Sequence, residues 1–297
     1  MQYGVVYPQT ELGGDPDAVR WFCAAAAAAG YQYVLAYDHV VGADHADREP
    51  PLTGPYTEHH PFHEPLVLFA YLAVMYPDLE FGTDVMILPQ RQTVLVAKQA
   101  ADLQVLSGGR LRLGVGTGWN WVEYDALGQP FADRGARLDE QIGLLRRLWT
   151  EPLVSYEGRF DRMERGSILP RPVAPIPIWV GGFSDPAFRR AARLGDGFMF
   201  AGDVAHAEEG WARIRHFAAA EGRSLDGFGR DLTALRATTV DEAVATAEQW
   251  DAAGGSHYTV VSMRKGFTDV EEHISFIVKV AERLGIMPPD PPVEGRP

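Results

Sequence analysis

Asp38 and His39 stand side by side where the short aromatic and aliphatic run Tyr33 to Tyr37 ends. A carboxylate beside an imidazole can hydrogen-bond a cofactor ring and move a proton near neutral pH. The same pair can also cap a turn where a strand gives way to a loop. Gly114, Gly116 and Gly118 recur at every second position and lead into Trp119. That spacing lets main chain approach a flat ring without side-chain interference, or lets a strand narrow for packing. Gly181-Gly182-Phe183-Ser184-Asp185-Pro186 joins two glycines, a hydroxyl and a proline able to start a helix. Its free amides suit a phosphate; an ordinary strand-to-helix connection with a Ser or Asp cap is the alternative. The three groups together suggest a flavin-type redox cofactor.

Other reactive residue types lead elsewhere. His39, His45, His59, His60 and His63 cluster in sequence, but most fall in one long loop without tight helical or strand spacing, so no metal site is expected. Cys23 lies in the Ala-rich run Trp21 to Ala29 and reads as a small apolar helix residue. Met75 with Tyr71 and Tyr76, and Trp149 with Leu145, have the spacing of core or dimer contacts.

The elements that must position these residues alternate as strand and helix, which predicts an α/β fold, a single (β/α)8 TIM barrel. Strands are expected at Tyr3–Tyr7, Tyr33–Tyr37, Phe81–Leu88, Leu111–Val115, Ile176–Val180, Gly197–Phe200, Leu232–Ala237 and Tyr258–Met263. Helices are expected at Pro16–Ala29, Glu64–Tyr76, Val94–Leu106, Asp133–Trp149, Pro186–Leu194, Ala205–Ala220, Asp241–Ala253 and Val270–Leu284. A doubly wound open sheet is the competing architecture. It would normally show a Gly-rich fingerprint after the first strand, where Pro8-Gln9-Thr10-Glu11 stands instead. Residues 152–175 break the rhythm and read as an insertion carrying a small hairpin after the fourth βα unit. The domain is expected to span 1–287, with 288–297 a disordered Pro-rich tail. In a barrel, function sits at the carboxyl ends of the strands. That rule selects Asp38-His39, Thr83 to Pro89, Gly114 to Trp119 and Gly181 to Ser184.

Composition narrows the partners. The formal net charge of -13 argues against a nucleic-acid or anionic-membrane surface. Neither a signal-peptide pattern nor a long apolar run is evident, and a single cysteine fits a reducing compartment, so a cytoplasmic protein acting on a small molecule is expected.

The motifs Phe81-Gly82-Thr83-Asp84-Val85 through Leu88-Pro89, Ala97 to Leu103, Leu106 to Arg110, Leu113 to Trp119, Pro177 to Gly182 and Gly195-Asp196-Gly197 resemble the bacterial luciferase-like monooxygenases. Within them the chain is most similar to the coenzyme F420-dependent oxidoreductases. The resemblance covers Tyr3 to Leu284. It implies a luciferase-like TIM barrel assembled as a homodimer, in which Asp38 and catalytic His39 face a deazaflavin ring. It also implies a non-prolyl cis peptide near Asp84-Val85 behind that ring. The cofactor-binding set it implies is Asp38, Thr83, Asp84, Val85, Gly116, Thr117, Gly118, Gly181, Gly182, Phe183 and Ser184. The family's sugar-phosphate dehydrogenases carry a catalytic Glu directly after their Gly-Thr-Gly. Here Trp119 takes that place, which argues against glucose-6-phosphate. Trp119 and Trp121 suggest an apolar substrate wall, or, for Trp121, simple packing beneath the loop. The expected reaction is hydride exchange between F420 and a small organic substrate, with His39 handling the proton. An FMN-dependent monooxygenase and a non-catalytic F420-binding protein are the alternatives. Substrate choice is expected to depend on the loop from Asp38 to Phe62, residues 152–175 and Met263 to Phe267.

Overall fold

The structure, a computed structural model, describes residues 1–286; the expected disordered tail lies outside the described residues. The chain begins with β1 (Gln2–Val6), α1 (Pro16–Ala28), β2 (Tyr33–Ala36) and α2 (Pro65–Met75). Asp15 accepts from the Asp17 amide to cap α1, and Glu64 accepts from the Val67 amide to cap α2; both helices carry Pro in the first turn, where its missing N–H costs nothing. The third barrel position is split into β3 (Glu80–Thr83) and β4 (Met86–Ile87), followed by a 3-10 turn at Leu88–Gln90 and α3 (Thr93–Leu106). The continuous strand expected over Phe81–Leu88 is thus interrupted: the Asp84–Val85 peptide is cis and the two residues bulge out of the ladder.

β5 (Leu111–Gly116) leads through α4 (Trp121–Ala126) to α5 (Arg134–Thr150), and a hairpin of β6 (Val154–Glu157) and β7 (Arg162–Gly166) follows. The chain then alternates β8 (Ile178–Gly181), α6 (Asp185–Leu194), β9 (Gly197–Ala201), α7 (Val204–Ala220), β10 (Gly229–Thr233), α8 (Val240–Ala252), β11 (His257–Val260) and α9 (Val270–Leu284). All pairings in the main sheet are parallel. β1 lies between β2 and β11, and β5 joins both β3 and β8, which closes the ring. With β3 and β4 sharing one position, the nine strands make an eight-position barrel. The hairpin stands between the fourth unit and β8.

The last two strands differ from their expected bounds. β10 begins at Gly229-Arg230-Asp231, three residues before the aliphatic signal at Leu232 suggests its body, and β11 stops at Val260. Arg230 and Asp231 are buried strand residues despite their charge, so hydropathy alone placed the strand late.

Side chains divide between two cores. The larger one fills the space between the helices and the outer face of the barrel; the smaller one occupies the lumen, with Val6, Tyr33, Leu35, Trp179, Met199, Val261 and Met263. Large rings fit in the lumen because glycines face them: a Cβ at Gly229 or Gly197 would overlap the Trp179 indole. The Arg112 guanidinium lies between the Tyr33 and Trp179 rings, 4.5 and 4.4 Å from their centroids, and pairs with Asp231 at 3.3 Å. Asp231 also accepts from the Thr259 and Tyr33 hydroxyls.

Candidate active site

A cavity of about 590 Å³ opens at the carboxyl ends of the barrel strands. β2 contributes Asp38 and His39, and the bulge contributes Asp84 and Val85. Gly116, Thr117, Gly118 and Trp119 come from the turn after β5, and Gly181, Gly182, Phe183 and Ser184 from the turn after β8. Four segments far apart in sequence therefore meet around one space.

His39 is largely buried. Its ring lies edge-on to Phe62, Tyr56 and Trp119, with centroids 4.8, 5.4 and 5.6 Å away. Its Nδ1 lies 3.2 Å from Oε2 of Glu123, a fully buried carboxylate. A carboxylate can only accept, so Nδ1 carries the proton of the neutral imidazole and leaves Nε2 as the basic nitrogen. Glu123 also accepts from the amides of Val40 and Val41 and from Gln90. Burial by itself would raise the Glu123 carboxyl. The His39 hydrogen bond and charge, the Val41 amide and Gln90 together outweigh it and hold Glu123 below the usual carboxylate range.

Asp38 lines the cavity, and its carboxylate also ties the loop to the barrel. One oxygen accepts from the Ile87 amide at 2.8 Å and the other from Arg91 at 2.7 Å, and the side chain is fully buried. Arg91 reaches Glu64 with its other terminal nitrogen at 3.0 Å. Asp38 therefore fixes the start of the 39–64 loop against the third barrel position.

The glycines have distinct jobs. Gly114 packs: a Cβ there would collide with the Thr83 carbonyl, and the Thr83 hydroxyl donates to the Gly114 carbonyl at 2.6 Å. Gly116 and Gly181 flank the bulge, since a Cβ on either would come within 2.5 and 2.7 Å of the Val85 methyl groups. Gly118 turns the chain at φ 62, in the left-handed region. Thr83, one of the residues expected at the cofactor, is fully buried and ties β3 to β5 without lining the cavity. Trp121 also stands outside the cavity lining; it opens α4, beneath the guanidinium of Arg48 at 5.7 Å, while Trp119 does line the wall.

Ser184 is the N-cap residue of α6 but makes no side-chain capping bond, so its hydroxyl stays available at a ten-residue helix whose first-turn acid, Asp185, is paired with Arg213. Arg134 and Arg264 supply guanidinium groups to the same cavity. Arg264 also donates to the Pro55 carbonyl at 3.1 Å and lies 5.5 Å from the Tyr56 ring, which joins the β11–α9 turn to the 39–64 loop.

Several of these residues escape sequence reasoning. Glu123 had one signal: Asn120 three residues earlier accepts from its amide, the spacing that opens a helix. Tyr37 and Arg134 carried none, whereas Tyr56 and Arg264 fall within the loop Asp38 to Phe62 and the segment Met263 to Phe267, where substrate choice was expected to lie. Among the described residues no cluster of three or more His, Cys, Asp or Glu is placed to hold a metal, and no helix is long and apolar enough to cross a membrane.

Comparison with known proteins agrees with this geometry. The model of the luciferase-like monooxygenase family matches residues 1–289. An uncharacterised protein of Mycobacterium tuberculosis is 39% identical over 222 residues, 70% of this chain and 76% of that protein. An F420-dependent glucose-6-phosphate dehydrogenase of Intrasporangium calvum is 43% identical over 124 residues, 40% of this chain and 37% of the dehydrogenase. The crystal structure of the monooxygenase RslO1 from Streptomyces bottropensis superposes with a TM-score of 0.75 at 20% identity, covering 96% of this chain and 98% of that one. An enzyme is therefore indicated, which sets aside the non-catalytic binding protein. The chain belongs to the luciferase-like monooxygenase family and is an oxidoreductase.

Proposed function

We propose that this oxidoreductase binds coenzyme F420 in the cavity and exchanges a hydride between the deazaflavin ring and a small organic substrate. The observation that carries the reading is the His39–Glu123 pair set into the wall of a glycine-lined cavity. The residues suit the cofactor. Gly116 and Gly181 leave flat backbone on either side of the Val85 bulge, as a planar ring requires, and the uncapped Ser184 with the amides of Gly181 and Gly182 suits a phosphate. Arg134 adds a cation to the same space. The bound deazaflavin would supply the hydride chemistry. The chain's own part is to orient and to move a proton: Glu123 holds Nδ1, so Nε2 of His39 takes the proton from the substrate or returns it. Trp119 and Tyr56 give the substrate an apolar, aromatic wall.

Titration of the purified protein with F420 and with FMN tests the reading. Micromolar binding of F420 and loss of turnover in His39→Ala are expected. Binding of FMN alone, with oxygen consumed by the reduced flavin, would replace it with the monooxygenase reaction. Homodimer assembly is proposed too, supported by the exposed Val67, Tyr71 and Val74 on α2; sedimentation equilibrium checks it. The buried, unpaired Cys23 supports a cytoplasmic setting, which fractionation of the source cells would check.

A further inference from the structure

The cavity has a second polar pole that the His39 chemistry does not use. Asp84 on the bulge and Tyr37 at the end of β2 both line it. One Asp84 oxygen accepts from the Thr233 hydroxyl at 2.8 Å, and the other takes no hydrogen bond from the protein. The Tyr37 hydroxyl is buried and also has no protein partner. Buried hydroxyls in folded proteins are almost always paired, so an orphan beside a cavity points to a partner on the ligand. The surroundings are mixed: Asp231 and Arg112 lie beneath Asp84, Thr233 beside it, and Tyr56 and Arg264 act on Tyr37 from above. Val261, Met263, Met199 and Leu235 make the adjoining wall apolar.

Tyr37 is a donor throughout the neutral range, and Asp84 is a donor on the acid side of it. Burial holds the Tyr37 phenol well above its usual range, so it keeps its proton. Burial also pushes the Asp84 carboxyl up to about 7; the Thr233 hydrogen bond and the Arg112 charge oppose the rise and Asp231 adds to it. Two donors bordering one space suit an acceptor with two lone pairs. A carboxylate ligand would meet the negative charge of Asp231 and of ionised Asp84.

We infer that Tyr37 and Asp84 form a two-donor site for an uncharged carbonyl oxygen, carried by the redox ring or by the substrate. The inference rests on the proposed function only in treating this cavity as the redox site. Ligand affinity is highest at mildly acid pH and falls as Asp84 ionises.

Three variants test it: Asp84→Asn, which keeps a donor but cannot ionise, Asp84→Val, which removes it, and Tyr37→Phe. Infrared difference spectra of the protein alone should show a protonated carboxyl band that disappears across neutral pH and is absent in Asp84→Asn. F420 binding is then followed by fluorescence over the same pH range, and binding of cyclohexenone, as a carbonyl probe, by calorimetry on the F420-loaded protein. A ring carbonyl as the ligand predicts that F420 binds about tenfold more weakly to Asp84→Val and Tyr37→Phe, with a flat pH profile in Asp84→Asn. A substrate carbonyl predicts unchanged F420 affinity and an equivalent loss for cyclohexenone. Unchanged affinity and pH profile for both ligands in all three variants would overturn the inference. If F420 fails to bind the wild type, the cofactor reading falls; the same series with FMN then decides this one by the same losses.

Discussion

Two buried ionic clusters occupy neighbouring levels of the same barrel, and they are built differently. In the lumen, Arg112 pairs with Asp231 between two aromatic rings, and every partner comes from a strand. At the rim, Asp38 with Arg91 and Glu123 with His39 accept from main-chain amides of Ile87, Val40 and Val41, so their charge fixes loops. The lumen cluster is a packing solution for charged groups enclosed by the sheet. The rim cluster gives otherwise irregular segments one geometry. A site built at the rim inherits its accuracy from carboxylates that hold its loops in place.

The comparison breaks most visibly in the lumen. Arg112→Met leaves Asp231 buried without its counter-charge and should cost about 3–5 kcal/mol in urea unfolding, with most of the loss restored by adding Asp231→Asn. At the rim, Glu123→Ala strips partners from two amides, Gln90 and His39, and should lose about 2–4 kcal/mol. Turnover should fall about 100-fold through misplacement of the imidazole, and Glu123→Gln should recover stability more than rate. Its pH behaviour sharpens the contrast. The Glu123 carboxyl is held below its usual range, so its stabilisation is present above the ordinary carboxylate pKa and is lost as the folded protein is acidified through the lowered value. Gly116→Ala forces the Val85 side chain to move and should cost about 1–3 kcal/mol together with cofactor affinity, read by thermal shift with and without ligand.

The last effect is opposite in sign. Asp84 has a raised carboxyl, so its favourable contribution is complete below the unfolded-state value and is lost as pH climbs towards about 7. Asp84→Asn should therefore gain stability over the wild type as pH rises towards and beyond about 7 and equal it in acid, as measured by denaturant midpoints.

Much of the scaffold was legible because local chemistry and tertiary role agree. Pro16 behind Asp15 starts a helix in the sequence as it does in space, and the run Leu111 to Gly116 is buried on both faces as a parallel strand must be. The carboxyl-end rule then gathered Asp38, His39, Gly116 to Trp119 and Gly181 to Ser184 with no contact known in advance. What stayed hidden depends on partners distant in the chain. Glu123 lies more than eighty residues from the amides it serves, and nothing in Trp121-Val122-Glu123-Tyr124 separates a solvent-facing acid from a buried one. Arg230 and Asp231 delayed the strand assignment because two buried charged residues, Arg230 on the helix-facing side with Glu208 and Asp231 in the lumen with Arg112, contradict the hydropathy that marks strands elsewhere. The ties of Asp38 to Arg91 and Ile87 were also beyond sequence, where its neighbour His39 suggested only a shared ligand.

The Trp179 indole seated over Gly197 and Gly229, with Arg112 stacked on it and Tyr33 opposite, stoppers the barrel from below. The lumen is consequently a blind well. Asp84 borders the same cavity as Arg264 and Tyr56, so a ligand filling that space should slow the rate at which the carboxyl trades its hydrogen for deuterium.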